Sequence, residues 1–288
     1  MSLIPPRQAW ALMIDITTRC IRSCSNCTRL LGWRKNDDEC YRDMDPTTFR
    51  DACRTVADFP TDSEPNEWVK MPKLIGIIGG EPFMHPQFET LVEIMMEEIP
   101  DRAHRGLWTG VPMDEDRKMW VDERFAYLNH NIHVPPCHHQ PVLVGSSELV
   151  KDRGERRKWV EECWINRHWS PNITSRGVYF CEVAAAMDAA LGLGIAKPVR
   201  PGWWREDLSW FSNQVAACCH RCGVAMPLPA RLDNERTDDV SPENLEALRL
   251  AWGDKLPDRK FELFDCQGYD PEKFIGSWRP RQYMRGGK

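Results

Sequence analysis

Ala11-Leu12-Met13-Ile14-Asp15-Ile16-Thr17-Thr18-Arg19-Cys20-Ile21-Arg22-Ser23-Cys24-Ser25-Asn26-Cys27 opens on an apolar run and closes on three cysteines. The run Ala11 to Thr17 reads as a buried strand. It sets the cysteine loop at that strand's C-terminal end, where α/β folds bind ligands. Cys20, Cys24 and Cys27, spaced x3 then x2, are too crowded for ordinary disulfides. They are also one short of a closed metal site, since structural zinc takes four ligands and a cubane iron-sulfur cluster is normally held by four thiolates. Three thiolates on one loop suggest a [4Fe-4S] cluster with one iron left open.

Outward from the loop, Asp45-Pro46 reads as the N-cap and first residue of a helix reaching about Asp58. Cys53 falls on its apolar stripe with Phe49, Ala52 and Val56 and is expected as a buried, inert thiol. A second buried strand, Lys73 to Ile78, ends in Gly79-Gly80-Glu81-Pro82. Phe88, Leu91, Val92, Met95, Met96 and Ile99 then recur at helical spacing. A strand near Arg105–Thr109, a helix near Asp114–Asn129 and a strand at Asn131–Val134 continue the alternation, which predicts a parallel α/β sheet with right-handed crossovers.

From Pro135 the pattern changes. Cys137-His138-His139 is read as a loop, and Glu155–Trp164 as a charged helix. A short strand, Val178–Phe180, ends at Cys181. The helix Glu182–Leu191, stopped by Gly192, would point its N-terminus at anything held by Cys181. Helices are also expected at Asp207–Cys218 and Pro242–Trp252. The chain divides into 1–135, 136–162, 163–230 and a tail, 231–288.

Composition narrows the function classes. A net charge of −5 argues against a nucleic-acid partner. The basic tail residues Arg279, Arg281, Arg285 and Lys288 are read as solvated. No long apolar window or signal-peptide pattern stands out, so a cytoplasmic chain with no membrane contact is expected. Twelve cysteines in that setting point to metal or redox chemistry rather than a disulfide framework. Thirteen tryptophans are expected mostly in the core, although Trp203, Trp204 and Trp210 have the character of an aromatic substrate wall.

The Cys20-x3-Cys24-x2-Cys27 loop after one strand and Gly79-Gly80-Glu81-Pro82 after the next, over roughly residues 10–135, resemble the radical S-adenosylmethionine superfamily. That resemblance implies a partial (β/α)6 TIM-like barrel. It implies a [4Fe-4S] cluster on Cys20, Cys24 and Cys27, whose open iron chelates S-adenosylmethionine. Gly79, Gly80, Glu81 and Pro82 would contact the methionyl amino group, with the glycines permitting close approach and the carboxylate pairing with the ammonium. Reductive cleavage would yield a 5′-deoxyadenosyl radical that abstracts hydrogen from the substrate. Asn26 stands where the family commonly has an aromatic residue, and its amide is assigned to the adenine edge.

Cys163, Gly177, Cys181 and the hairpin Cys219-x2-Cys222 resemble the opening of the SPASM and twitch extensions, although three residues rather than four separate Gly177 from Cys181. The resemblance implies a small auxiliary domain with a second [4Fe-4S] cluster on Cys163, Cys181, Cys219 and Cys222. A structural zinc in the same thiolates and Cys218 in place of Cys219 stay open. The expected partners are a small polar substrate, sugar-, cyclitol- or nucleoside-like, and a one-electron donor such as flavodoxin or ferredoxin. The expected reaction is an oxidation with the auxiliary cluster as electron acceptor. Epimerisation with Cys137 as hydrogen donor, peptide maturation, and a non-enzymatic zinc or iron-sulfur module are the alternatives.

Overall fold

The structure is a computed structural model that describes residues 3–34, 42–168 and 171–276. Four strands come first: β1 (Ala11–Asp15), β2 (Leu74–Ile78), β3 (Arg105–Thr109) and β4 (Tyr127–His130). The two-residue β5 (His138–His139) is followed by β6 (Asn172–Thr174), β7 (Gly177–Tyr179), β8 (Arg231–Leu232), β9 (Asp238–Val240) and β10 (Phe261–Leu263). The central sheet has the order β4-β3-β2-β1-β6-β7. Its first five strands are parallel and β7 turns back antiparallel beside β6. The fold is α/β around a six-stranded, mostly parallel sheet.

β1 is buried at every position and β2 at four of five. A strand covered on both faces carries a continuous apolar run rather than an alternation. The helix Pro46–Val56 starts where Asp45 Oδ1 accepts the Thr47 and Thr48 N–H groups, each at 3.0 Å. It buries Phe49, Ala52, Cys53 and Val56. It packs beside the helix Phe88–Glu98, where Arg50 reaches Glu97 and Glu98 at 2.6 and 2.7 Å. Cys53 is a core thiol, as its stripe position required.

Several boundaries differ from the sequence reading. The helix expected to reach Asn129 ends at Arg124, because Phe125 turns inward and is buried. The following Tyr127–His130 therefore becomes β4, and Asn131–Val134 leaves the sheet through His133 at φ 55°. The charged helix is Arg153–Glu161, capped by Asp152, and a second helix, Trp164–His168, starts after Cys163. The segment expected as one helix over 207–218 is a 3-10 turn, Leu208–Phe211, followed by the helix Ser212–Cys218.

β6 was not anticipated. It has three residues, follows Pro171 and joins β1 on the side opposite β2. Residues 163–230 thus contribute two strands to the main sheet, and one apolar core runs from Leu3 to Leu248. Within 231–276 the helix Pro242–Trp252 forms as expected, and β8, β9 and β10 are added to it. The basic tail residues lie outside the described residues.

Trp203 and Trp204 are fully buried among Phe59 and Phe211, which makes them core rather than substrate wall. Trp203→Ala should lower unfolding free energy by about 3–5 kcal/mol through the cavity it leaves. Leu250→Ala, at a site 77% exposed, should shift it by no more than about 0.5 kcal/mol. Urea unfolding curves of the two variants provide the comparison.

Candidate functional site

The two sequence motifs are physically joined. Gly80 N–H donates to Thr17 O and Glu81 N–H to Arg19 O, both at 2.7 Å, which binds the end of β2 to the segment entering the cysteine loop. A Cβ on Gly79 would sit 2.5 Å from Thr17 O, and one on Gly80 would overlap the Arg19 carbonyl. The glycines are needed so that the loop's own backbone can approach.

Glu81 is buried, and its carboxylate accepts from Thr109 Oγ1 at 2.7 Å and Gly110 N at 2.8 Å. A weaker bond from Phe83 N, at 3.3 Å, makes Glu81 the cap of the turn Pro82–Met84. An ionised carboxylate has about four acceptor positions, so Glu81 retains capacity for one more donor.

At the C-terminal ends of β1 to β4 lies a cavity of about 300 Å³, lined by Cys20, Cys24, Cys27, Gly79, Gly80 and Glu81 among others. The same three cysteines also line a second cavity of about 390 Å³, with Arg19, Arg42 and Arg259 around it. Burial is the main force pushing up all three thiols, and Cys24 reaches about 12, helped by Cys27 and Asp233. The protein therefore holds them protonated, and a metal would have to displace those protons.

Asn26 has a different role from the one expected. It sits in the left-handed region at φ 48°, a conformation asparagine tolerates better than most residues. Its Nδ2 donates to Asp239 Oδ2 at 2.7 Å and its Oδ1 accepts from Asp239 N at 2.8 Å. Both ends of the amide are engaged by β9, and the buried side chain is not in the wall of the 300 Å³ cavity, so it braces the loop rather than meeting an adenine edge there. The rest of the brace comes from the same region. Asp238 accepts from Asn26 N, from Trp33 Nε1 at 2.8 Å and from Arg259 Nε at 2.7 Å. Arg259 Nη2 donates in turn to Cys24 O at 2.6 Å. Ser25 N donates to Asp233 O, and His139 Nδ1 lies 2.8 Å from Ser25 O. Sequence reading missed Trp33, Asp233, Asp238, Asp239 and Arg259. The available trace was an acidic pair, Asp238-Asp239, on an otherwise strand-like segment.

The second cysteine set converges as well. Cys163, Cys181, Cys218, Cys219 and Cys222 line one small, almost wholly apolar cavity of about 30 Å³. Cys181 is the N-cap residue of the helix Glu182–Leu191. Burial pushes each of these thiols up, Cys181 to about 12. Cys219 and Cys222 each lie within electrostatic reach of Cys163, Cys181 and Cys218, and Cys218 Sγ also faces Ala184 O at 3.9 Å. A tetrahedral zinc with bonds of about 2.3 Å needs sulfurs about 3.8 Å apart. Among the described residues, the one set of three or more potential ligand atoms mutually within 4.8 Å is Cys24, His133 and Asp233, so no three of these thiols lie that close together.

One buried ion pair links the sets. Arg29, two residues after Cys27, donates to Glu182 Oε2 at 3.1 Å, one residue after Cys181. Both line the 300 Å³ cavity. Asp15 backs the pair at 3.9 Å and also meets Arg34 at 3.4 Å.

Cys137 is not in the wall of that cavity; its Sγ faces Asn131 Oδ1 at 3.4 Å, and Asn131 is the wall residue. His138 is exposed, whereas His139 lines the cavity. No family model matches the chain, and the search of curated proteins found no match. Among the described residues no helix is long and apolar enough to cross a membrane.

Gly80→Ala should cost roughly 1–3 kcal/mol, because backbone rather than a flexible side chain must give way. A lowered thermal midpoint would register it. In the parent protein, alkylation of Cys24 followed by mass spectrometry should rise about tenfold per pH unit. It should not level off near the ~8.5 of an ordinary thiol. Asp238→Asn should speed that alkylation by loosening the loop.

Proposed function

We propose that the chain is a radical S-adenosylmethionine enzyme acting on a small polar molecule. The observation that carries this reading is one cavity walled by three thiols and the Glu81 carboxylate, with the two motifs joined backbone to backbone. The donor set fits the group: three sulfurs on one loop leave one iron of a cubane without a protein ligand. Cys20, Cys24 and Cys27 would hold the cluster, and Gly79 to Pro82 would flank the methionyl end of S-adenosylmethionine. When bound, the pair would supply one-electron cleavage of a carbon–sulfur bond and a carbon radical able to take hydrogen from unactivated carbon.

The chain's own residues bind and orient. Glu81, fixed by Thr109 and Gly110, accepts from an ammonium. Asn129, Asn131 and His139 offer neutral polar groups to hydroxyl- or amine-bearing substrates. Arg22, which donates to Gly110 O at 2.8 Å, ties the loop to the end of β3. We read the sheet as the half-open core of a barrel shortened from six βα units, with 163–230 supplying both β6–β7 and the ligands of a second cluster.

Cys163, Cys181, Cys219 and Cys222 would supply the four thiolates that a cubane takes, and no three of them lie mutually within 4.8 Å, as a zinc tetrahedron would draw them. Net oxidation is the favoured reaction class, since this set lies one ion pair from the cavity. Cys137 as hydrogen donor is disfavoured by its position behind Asn131. A one-electron donor such as flavodoxin or ferredoxin would serve the first site.

Anaerobic reconstitution with iron and sulfide should load about eight irons per chain, as two cubanes require. Reductant and S-adenosylmethionine should then release 5′-deoxyadenosine, and Cys24→Ala should abolish the release. No 5′-deoxyadenosine from the loaded parent protein would refute the assignment. With substrate in deuterium oxide, deuterium gained at the reacting carbon would favour epimerisation over oxidation.

A further inference from the structure

We propose that Cys24, His133 and Asp233 form a site for a single divalent metal ion of zinc type, which binds when the three-cysteine loop carries no cluster. Their ligand atoms converge: His133 Nδ1 is 2.8 Å from Asp233 Oδ2, and Cys24 Sγ is 3.9 Å from each of them. A tetrahedral zinc bound at about 2.3 Å by sulfur and about 2.0 Å by nitrogen and oxygen needs edges of about 3.5 and 3.3 Å. The three atoms stand about half an ångström from that triangle, within the reach of small side-chain rotations. Sulfur, nitrogen and oxygen together suit a borderline cation.

The surroundings hold the ligands as metal sites require. Asp233 Oδ1 accepts from Cys137 N at 2.8 Å, and Asp233 N donates back to Cys137 O at 2.8 Å, so the carboxylate cannot swing away. His133 is held at φ 55°, a strained conformation for a non-glycine residue, and the His139 ring packs edge-on at 5.2 Å. The His133 and Asp233 side chains are 9% and 5% exposed. Access exists, since Cys24 and His133 both line the 300 Å³ cavity. Three protein ligands leave the fourth position to water, as in open zinc sites.

Occupancy by such an ion takes Cys24 out of the iron-sulfur ligand set, so the two metals exclude each other. That exclusion rests on the proposed cluster; the binding itself does not. The test uses metal-free full-length protein carrying Cys219→Ser and Cys222→Ser to silence the second thiol set, titrated anaerobically with cobalt(II) chloride. One equivalent should bind with a thiolate-to-cobalt charge-transfer band that zinc chloride displaces.

His133→Ala, and Asp233→Asn, which keeps an acceptor for Cys137 N, should each weaken that equivalent at least about tenfold. Circular dichroism checks that the variants are folded. No band, or equal affinity in folded variants and parent, overturns the site. One equivalent of zinc added before iron and sulfide should then suppress cluster assembly in the parent but not in His133→Ala. Normal cobalt binding with no cluster in zinc-free protein would keep this site and remove the cluster assignment. Cluster assembly indifferent to zinc, in protein whose cobalt affinity ignores His133, would do the reverse.

Discussion

Two backbone hydrogen bonds, Gly80 N–H to Thr17 O and Glu81 N–H to Arg19 O, set the geometry on which the rest of the site depends. They form because glycines at 79 and 80 let the end of β2 lie against the segment leaving β1. Once they form, the register Ala11↔Leu74 to Asp15↔Ile78 continues past the strands themselves. The cysteine loop and the Glu81 carboxylate are then fixed to each other before any ligand arrives. Pre-organisation of that kind lowers the ordering cost of binding.

The loop needs support on its other side, and buried polar groups provide it. Asn26, Trp33 and Arg259 converge on Asp238, and each bond contributes on the order of 1 kcal/mol, more where a charge is involved. The Arg29–Glu182 pair is different in kind. Desolvating two charges costs about as much as their attraction returns, so it adds little net stability. What it fixes is position: it holds the residue after Cys181 against the loop that carries Cys27, and both side chains face the same cavity. The two thiol sets are thereby mechanically connected, although the sequence separates them by more than a hundred residues.

The legible part of the fold was the part written in local patterns. Apolar runs marked β1 and β2, Asp45-Pro46 marked a helix start, and Gly192 marked a helix end. Cysteine spacing singled out both thiol sets, and the structure draws each together around a cavity. β6 was illegible because three residues after a proline carry no period, and its place beside β1 is decided by packing. The braces were illegible for a related reason. The bond from Asn26 to Asp238 spans 212 residues in sequence and leaves no mark on either neighbourhood. Asn26 shows the consequence: a polar residue in a ligand loop suggested a ligand contact, while its amide serves the loop's own anchorage. For β4, the helix pattern read on to Asn129, and the buried Phe125 ring decided where the helix stops.

The most direct measurement is electron–nuclear double resonance on the reduced, anaerobically reconstituted protein, with S-adenosylmethionine labelled with oxygen-17 in its carboxylate and nitrogen-15 in its amino group. Hyperfine coupling of both nuclei to the cluster of Cys20, Cys24 and Cys27 is expected, as an open iron beside Glu81 requires. A cluster signal with neither coupling would contradict the reading of this loop as a three-thiolate site open to a ligand.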